Sequence, residues 1–130
     1  GLPRRSGVLF NAARAFLTGR TFEISGSTEH WAAMAVEDAA ECLIRAATMP
    51  FAETTHALSA GYGGAFSVPS AVAAIAAHCG VAWHPPPGRP FVMDVRLFES
   101  QYGSLGTTFH ERLREFVGVI RDELVVEASR

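Results

Sequence analysis

Apolar positions in this chain fall into short runs separated by glycine and proline. From Ser6 to Leu17, residues Val8, Leu9, Ala12, Ala13 and Phe16 recur at helical spacing, and Gly19 suits the stop, so the pattern predicts a first helix. Thr21 to Ser25 alternates as a strand does, Gly26-Ser27 is turn chemistry, and Trp31 to Ala35 reads as a short extended segment. Glu37 and Asp38 then place negative charge in the first turn of an alanine-rich helix that runs to about Thr48, with Pro50 marking its end. His56 to Ser59 predicts a buried strand leading into the glycine loop Gly61-Tyr62-Gly63-Gly64. Ser67 is the N-cap of a helix with Pro69 in its first turn, ending near Cys79 and Gly80, and Val81 to Trp83 predicts a further short strand. The run Pro85 to Pro90 lacks too many donors for helix or central strand and is a surface connection. Met93 to Gln101 predicts a short helix. Thr108 and Glu111 form a capping box opening a long helix to about Val126, striped by Leu113, Phe116, Val117, Ile120 and Leu124. Helices and strands alternate, which predicts an α/β fold with few strands.

At 130 residues the chain is expected to form one domain, and 48% hydrophobic against 18% charged residues argues for a packed core over disorder. A net charge of −2 offers no electrostatic footprint for nucleic acid or anionic lipid, so neither is an expected partner. The longest apolar runs, such as Ala71 to Ala77, fall far short of the ~20 residues of a membrane span. All eleven basic residues are arginine. The absence of lysine excludes a Schiff-base lysine, a P-loop lysine and a Tyr-x-x-x-Lys pair within these residues. Two cysteines, Cys42 and Cys79, make no disulfide framework, and no secretory leader is evident, so a reducing cytoplasm is the expected compartment. The first residue is Gly1, so the expectation is a processed start or a piece of a longer protein.

Candidate chemistry is sparse. The segment Gly61 to Ser67 combines three glycines with a following helix N-terminus. It reads either as a wall of a small-molecule site or as a flexible strand-to-helix loop, and it lacks the dinucleotide register. His78, Cys79 and His84 are the nearest approach to a metal cluster, but Cys79 closes an apolar helix and reads as core, so no metal site is assigned. The five histidines are scattered singly and read as surface or structural. Glu37 and Asp38 beside His30 and Trp31 could include a catalytic carboxylate, although capping and dipole explain acids in a first helical turn. Arg112, Arg114 and Arg121, interleaved with Glu111, Glu115 and Glu123, read as a solvated face. No catalytic residue is assigned.

The order of these pieces resembles the C-terminal, substrate-binding portion of extended short-chain dehydrogenases/reductases, the NAD-dependent epimerase/dehydratase family. The resemblance rests on VLFNAARAFLTG (8–19) followed by TFEISG (21–26), on MAVEDAA (34–40), on HALSAGYGGAFS (56–67) with the helix to Gly80, on Asp94 to Gly103, and on Thr108 to Ile120. It covers nearly the whole chain, in order. It implies a helix-rich C-terminal lobe of a Rossmann-type fold whose dinucleotide-binding half is absent from these residues. NAD or NADP and the Ser/Thr, Tyr and Lys of catalysis would then belong to that half, as would the helices of any homodimer. This chain would shape the pocket for a small-molecule substrate with Trp31, with Gly61, Tyr62, Gly63 and Phe66, and with Arg89. Trp31 stands where nucleotide-sugar relatives often carry arginine, and only Arg96 or Leu97 lies near the place of a late family lysine. Both departures argue against a nucleotide-sugar substrate, and the aromatic at Trp31 suits a less charged one. The competing expectation is a stand-alone, non-catalytic module that binds a small molecule or another subunit.

Overall fold

Residues 7–24, 33–49, 58–87 and 90–130 are described by the structure, a computed structural model. The main core is a three-helix packing. Helix α1 (Val8–Leu17) buries Ala12, Ala13 and Phe16 on one face. Helix α3 (Val68–His78) lies against it and buries Ala71, Val72, Ile75 and Ala76, while α5 (Phe109–Ala128) closes the layer with Leu113, Val117 and Ile120. Alanine on the facing sides of α1 and α3 lets their backbones approach, and branched residues fill the space between.

Two of these helices start where short-range chemistry dictates. Ser67 Oγ accepts from Ser70 N–H while Ser70 Oγ accepts from Ser67 N–H, and Thr108 and Glu111 make the same reciprocal pair at the head of α5. Such boxes satisfy amides that the first turn leaves unpaired. Gly80, at φ +72°, ends the α3 segment in a conformation that side-chain-bearing residues rarely adopt.

A second, smaller cluster joins α2 (Val36–Thr48) to α4 (Arg96–Tyr102) through Cys42, Phe98 and Tyr102, with Met34 and Leu105 packing against both clusters. Arg45 of α2 ties this unit together. Its Nε donates to Glu41, and its Nη1 donates to the carbonyls of Tyr102, Gly103 and Ser104, closing the C-terminal end of α4.

The chain is thus a small α/β protein, but its sheet departs from expectation. The ladder found among the described residues is antiparallel: β1 (Gly64–Phe66) pairs with β2 (Phe91–Met93), with Gly64 opposite Met93 and Phe66 opposite Phe91. The end of the expected glycine loop is therefore a strand, and Met93 ends a strand instead of opening a helix. Segments 21–24 and 81–83 carry no regular structure, although half-buried and exposed residues alternate along them, and no ladder joins them. They are linked instead by a side chain, with Trp83 Nε1 donating to the Phe22 carbonyl at 2.9 Å while Phe16 meets both rings edge-on. Of the expected strand at His56 to Ser59, residues 58 and 59 carry no regular structure, and the rest lies outside the described residues.

Candidate functional site

Asp38 is the least expected side chain of the molecule. It sits in the first turn of α2, where the N-cap, Ala35, has no side-chain acceptor to offer. Dipole and capping would leave such a carboxylate at the surface. Instead Asp38 turns inward and is only 4% exposed. Its Oδ1 accepts from Thr107 Oγ1 at 2.8 Å and from Arg112 Nη2 at 2.9 Å, while Oδ2 accepts from Arg112 Nε at 2.9 Å and from the Tyr62 hydroxyl. The Tyr62 oxygen in turn accepts the Ala35 N–H at 3.1 Å. Four donors on one carboxylate, two from a single guanidinium, make a charge-assisted knot joining α2, the glycine loop, the α4–α5 connection and α5. Arg112 is therefore no part of a solvated face. Two of its nitrogens are committed inward, and the third reaches Glu115 at 2.9 Å.

This geometry sets the protonation states. Hydrogen bonding from Arg112, reinforced by Tyr62 and Thr107, outweighs burial and holds Asp38 down to about 2. Burial and the adjacent carboxylate push the Tyr62 phenol above its ordinary value, and Asp38 with Glu115 does the same for the Arg112 guanidinium. All three shifts favour the ion pair and the neutral phenol. The knot is a positioning device.

What it positions is the glycine loop. The Tyr62 ring is buried, stacks on Phe109 at 5.5 Å, and with Gly61 and Phe66 lines two cavities. The larger, about 330 Å³, lies between the glycine loop, α4 and the head of α5 and is lined by Gly61, Gly63, Phe66, Phe98 and Glu99 among others. The smaller, about 220 Å³, lies against Ala33, Met34 and Met93. Four of the six residues expected to shape a pocket, Gly61, Tyr62, Gly63 and Phe66, are brought together here, while Trp31 and Arg89 lie outside the described residues. A wider groove of about 580 Å³ between residues 20–24 and 81–86 shares no residue with either cavity and has an aromatic floor of Phe16, Phe22 and Trp83.

Sequence reasoning missed Arg112, Thr107, Phe98 and Glu99. Arg112 and Glu115 do form the i,i+3 pair that marks a solvated helix face, so the local signal was real and incomplete. Nothing local links Arg112 to a carboxylate 74 residues earlier. His78 is also unusual. Its Nε2 is buried without a partner among the described residues, and burial together with His110 and Arg114 lowers its basicity. Among the described residues no three His, Cys, Asp or Glu side chains are placed to hold a metal ion, and no helix is long and apolar enough to cross a membrane. Comparison with known protein families, curated proteins and solved structures gave no match.

Proposed function

We propose that this chain is the substrate-side lobe of an NAD(P)-dependent epimerase, dehydratase or reductase of the extended short-chain type, with hydride chemistry carried by residues outside it. One observation carries the reading. Three of the segments on which the resemblance rests, those holding Asp38, Tyr62 and Arg112, converge on one buried knot beside a ligand-sized cavity. An unpartnered face adds support: Val36, Leu43 and Ile44 of α2 are 74%, 72% and 57% exposed on one side of the helix, as a lobe that packs on a further domain requires.

The described residues themselves do not fit a dinucleotide. Both nearby guanidiniums, Arg45 and Arg112, are committed to internal partners, and the amides heading α3 and α5 meet their own capping boxes. No step of the reaction is therefore assigned to this chain. Its part is to wall the substrate with the glycine loop and to hold that wall still through Tyr62.

An antibody against α5, applied to extracts of the source cells, tests this. A native species heavier by roughly 100 to 200 residues supports the lobe reading. A species at 13.9 kDa, or dehydrogenase turnover by the purified 130 residues, overturns it. The alternative is a stand-alone binding module, and it is favoured by a core and polar knot built entirely from the chain's own residues. It requires cooperative thermal unfolding of the isolated chain without aggregation.

A further inference from the structure

The electrostatics of the 330 Å³ cavity point to one class of ligand. Four aromatic rings line it: Tyr62, Phe66, Phe98 and Phe109. Three of them are fixed against one another, Tyr62 stacked on Phe109 at 5.5 Å and Phe66 set at 88° to Phe109 at 5.2 Å, while Phe98 packs on Tyr102. Ring faces present negative potential and attract cations.

Glu99 is the acidic side chain among the described residues lining the cavity, with His110 on the same wall. Ser104 Oγ donates to Glu99 Oε2 at 2.6 Å, which pins the carboxylate, and Oε1 lies 3.9 Å from where a Cβ on Gly63 would stand. Among the described residues no arginine lines the cavity to answer it. Arg112 is spent on Asp38 and Glu115, Arg45 on Glu41 and three carbonyls, and the positive end of α5 is closed by its own Glu111. An anion entering here meets a carboxylate and no counterion. A cation meets a carboxylate and aromatic walls. The volume, at the small end of ligand sites, suits a compact molecule and not a nucleotide.

We propose that this cavity binds a small organic ammonium ion, held between its aromatic walls and the Glu99 carboxylate. This rests on the reading of the cavity as the ligand site of the lobe. It specifies the charge of the ligand, which that reading leaves open.

The test is a calorimetric titration of the purified chain with choline, with the neutral isostere carrying carbon in place of the choline nitrogen, and with acetate. Choline is expected to bind at least about fivefold more tightly than the isostere, the lower range of a cation–π and carboxylate contribution, and acetate not at all. Glu99→Gln, at an exposed position, is expected to remove most of that preference without changing isostere affinity, and Phe66→Leu to weaken choline more than the isostere. Both variants are checked for native circular dichroism. Equal affinity for choline and isostere overturns the ammonium assignment while the cavity stands as an apolar site. Absence of binding by both overturns the site itself. Neither result bears on the mass of the native species, so failure here and failure of the lobe reading are told apart.

Discussion

Replacing Arg112 with methionine isolates what the knot contributes. The substitution keeps an apolar stem of similar reach and removes both donors that bridge to Asp38, leaving a carboxylate that is 4% exposed with only Thr107 and Tyr62. Breaking a buried pair from one side costs about 3–5 kcal/mol because the surviving charge stays buried. The Arg112 side chain is 21% exposed, so water can partly replace it, and the expected loss is about 2–4 kcal/mol. Asp38→Asn strands a guanidinium that still has Glu115 and some solvent, and is expected to cost about 1–2 kcal/mol. The double variant should fall well short of the sum of the two losses, giving a coupling of about 1–3 kcal/mol.

The same interaction sets a pH window. Asp38 is held near 2 against an ordinary 3.8, so between those values the unfolded chain binds the proton that the native state refuses. The stabilisation is complete above about pH 5, erodes as pH falls through 3.8, and is gone below 2. Its size is about 2–3 kcal/mol from the shift alone, consistent with the mutational figure. Urea unfolding followed by circular dichroism at neutral pH and again near pH 3 measures both quantities. In Arg112→Met the acid dependence in this window should shrink. A loss under about 0.5 kcal/mol at neutral pH, with additive single variants, would refute the reasoning and return Arg112 to the class of surface arginines.

Tyr62→Phe removes the hydroxyl between Asp38 and the Ala35 amide and is expected to cost about 1–3 kcal/mol in the same urea assay. Alkaline ultraviolet titration should show Tyr62 ionising only with unfolding, since burial and Asp38 both oppose the phenolate. Thr108→Ala opens the capping box of α5 and should cost about 1 kcal/mol, with Thr108→Ser restoring most of it. Gly64→Ala forces a side chain onto a backbone at φ +120° at the start of β1 and should cost at least about 1 kcal/mol by thermal melt. His78 is held less basic than usual, so the unfolded chain takes up its proton first. Stability should decline as pH falls below 6.5, a step that His78→Gln abolishes and that lies well above the Asp38 window.

The helices were legible because their causes are local. Ser67 with Pro69, and Thr108 with Glu111, mark starts within one turn, and the stripe from Leu113 to Ile120 faces the core as its period requires. Strands were less legible, for two opposite reasons. Alternation at 21–24 and 81–83 did reflect alternating burial, with Phe22, Ile24, Val81 and Trp83 half-buried, but alternation does not supply a neighbour to pair with and neither segment is a strand. Gly64–Phe66 and Phe91–Met93 are too short to show a period, and their pairing spans a proline-rich connection that no local rule joins. The glycine loop was singled out by composition and does line both cavities around Tyr62. Glu99, the acidic group of the larger cavity, and Phe98, one of its four rings, come from a seven-residue helix with no mark of function in its sequence.

Stability alone does not account for a charged knot at this place. A buried ion pair is often matched or bettered by apolar residues of similar volume, and the surroundings, with Met34, Leu105 and Phe109 close by, would accept them. Apolar contacts, however, are indifferent to direction. The carboxylate of Asp38 receives donors from three other parts of the chain, and each bond fixes an angle as well as a distance. The consequence falls on Tyr62, whose hydroxyl is gripped from both sides by Asp38 and the Ala35 amide while the residue lines both the 330 Å³ cavity and the 220 Å³ one. Were that ring free to turn, the aromatic wall that the larger cavity shares with Glu99 would lose its shape. An apolar replacement of the pair could therefore preserve the fold and still cost the site its walls. That makes ligand affinity, measured beside stability, the quantity that separates a positional role for Asp38 and Arg112 from a merely cohesive one.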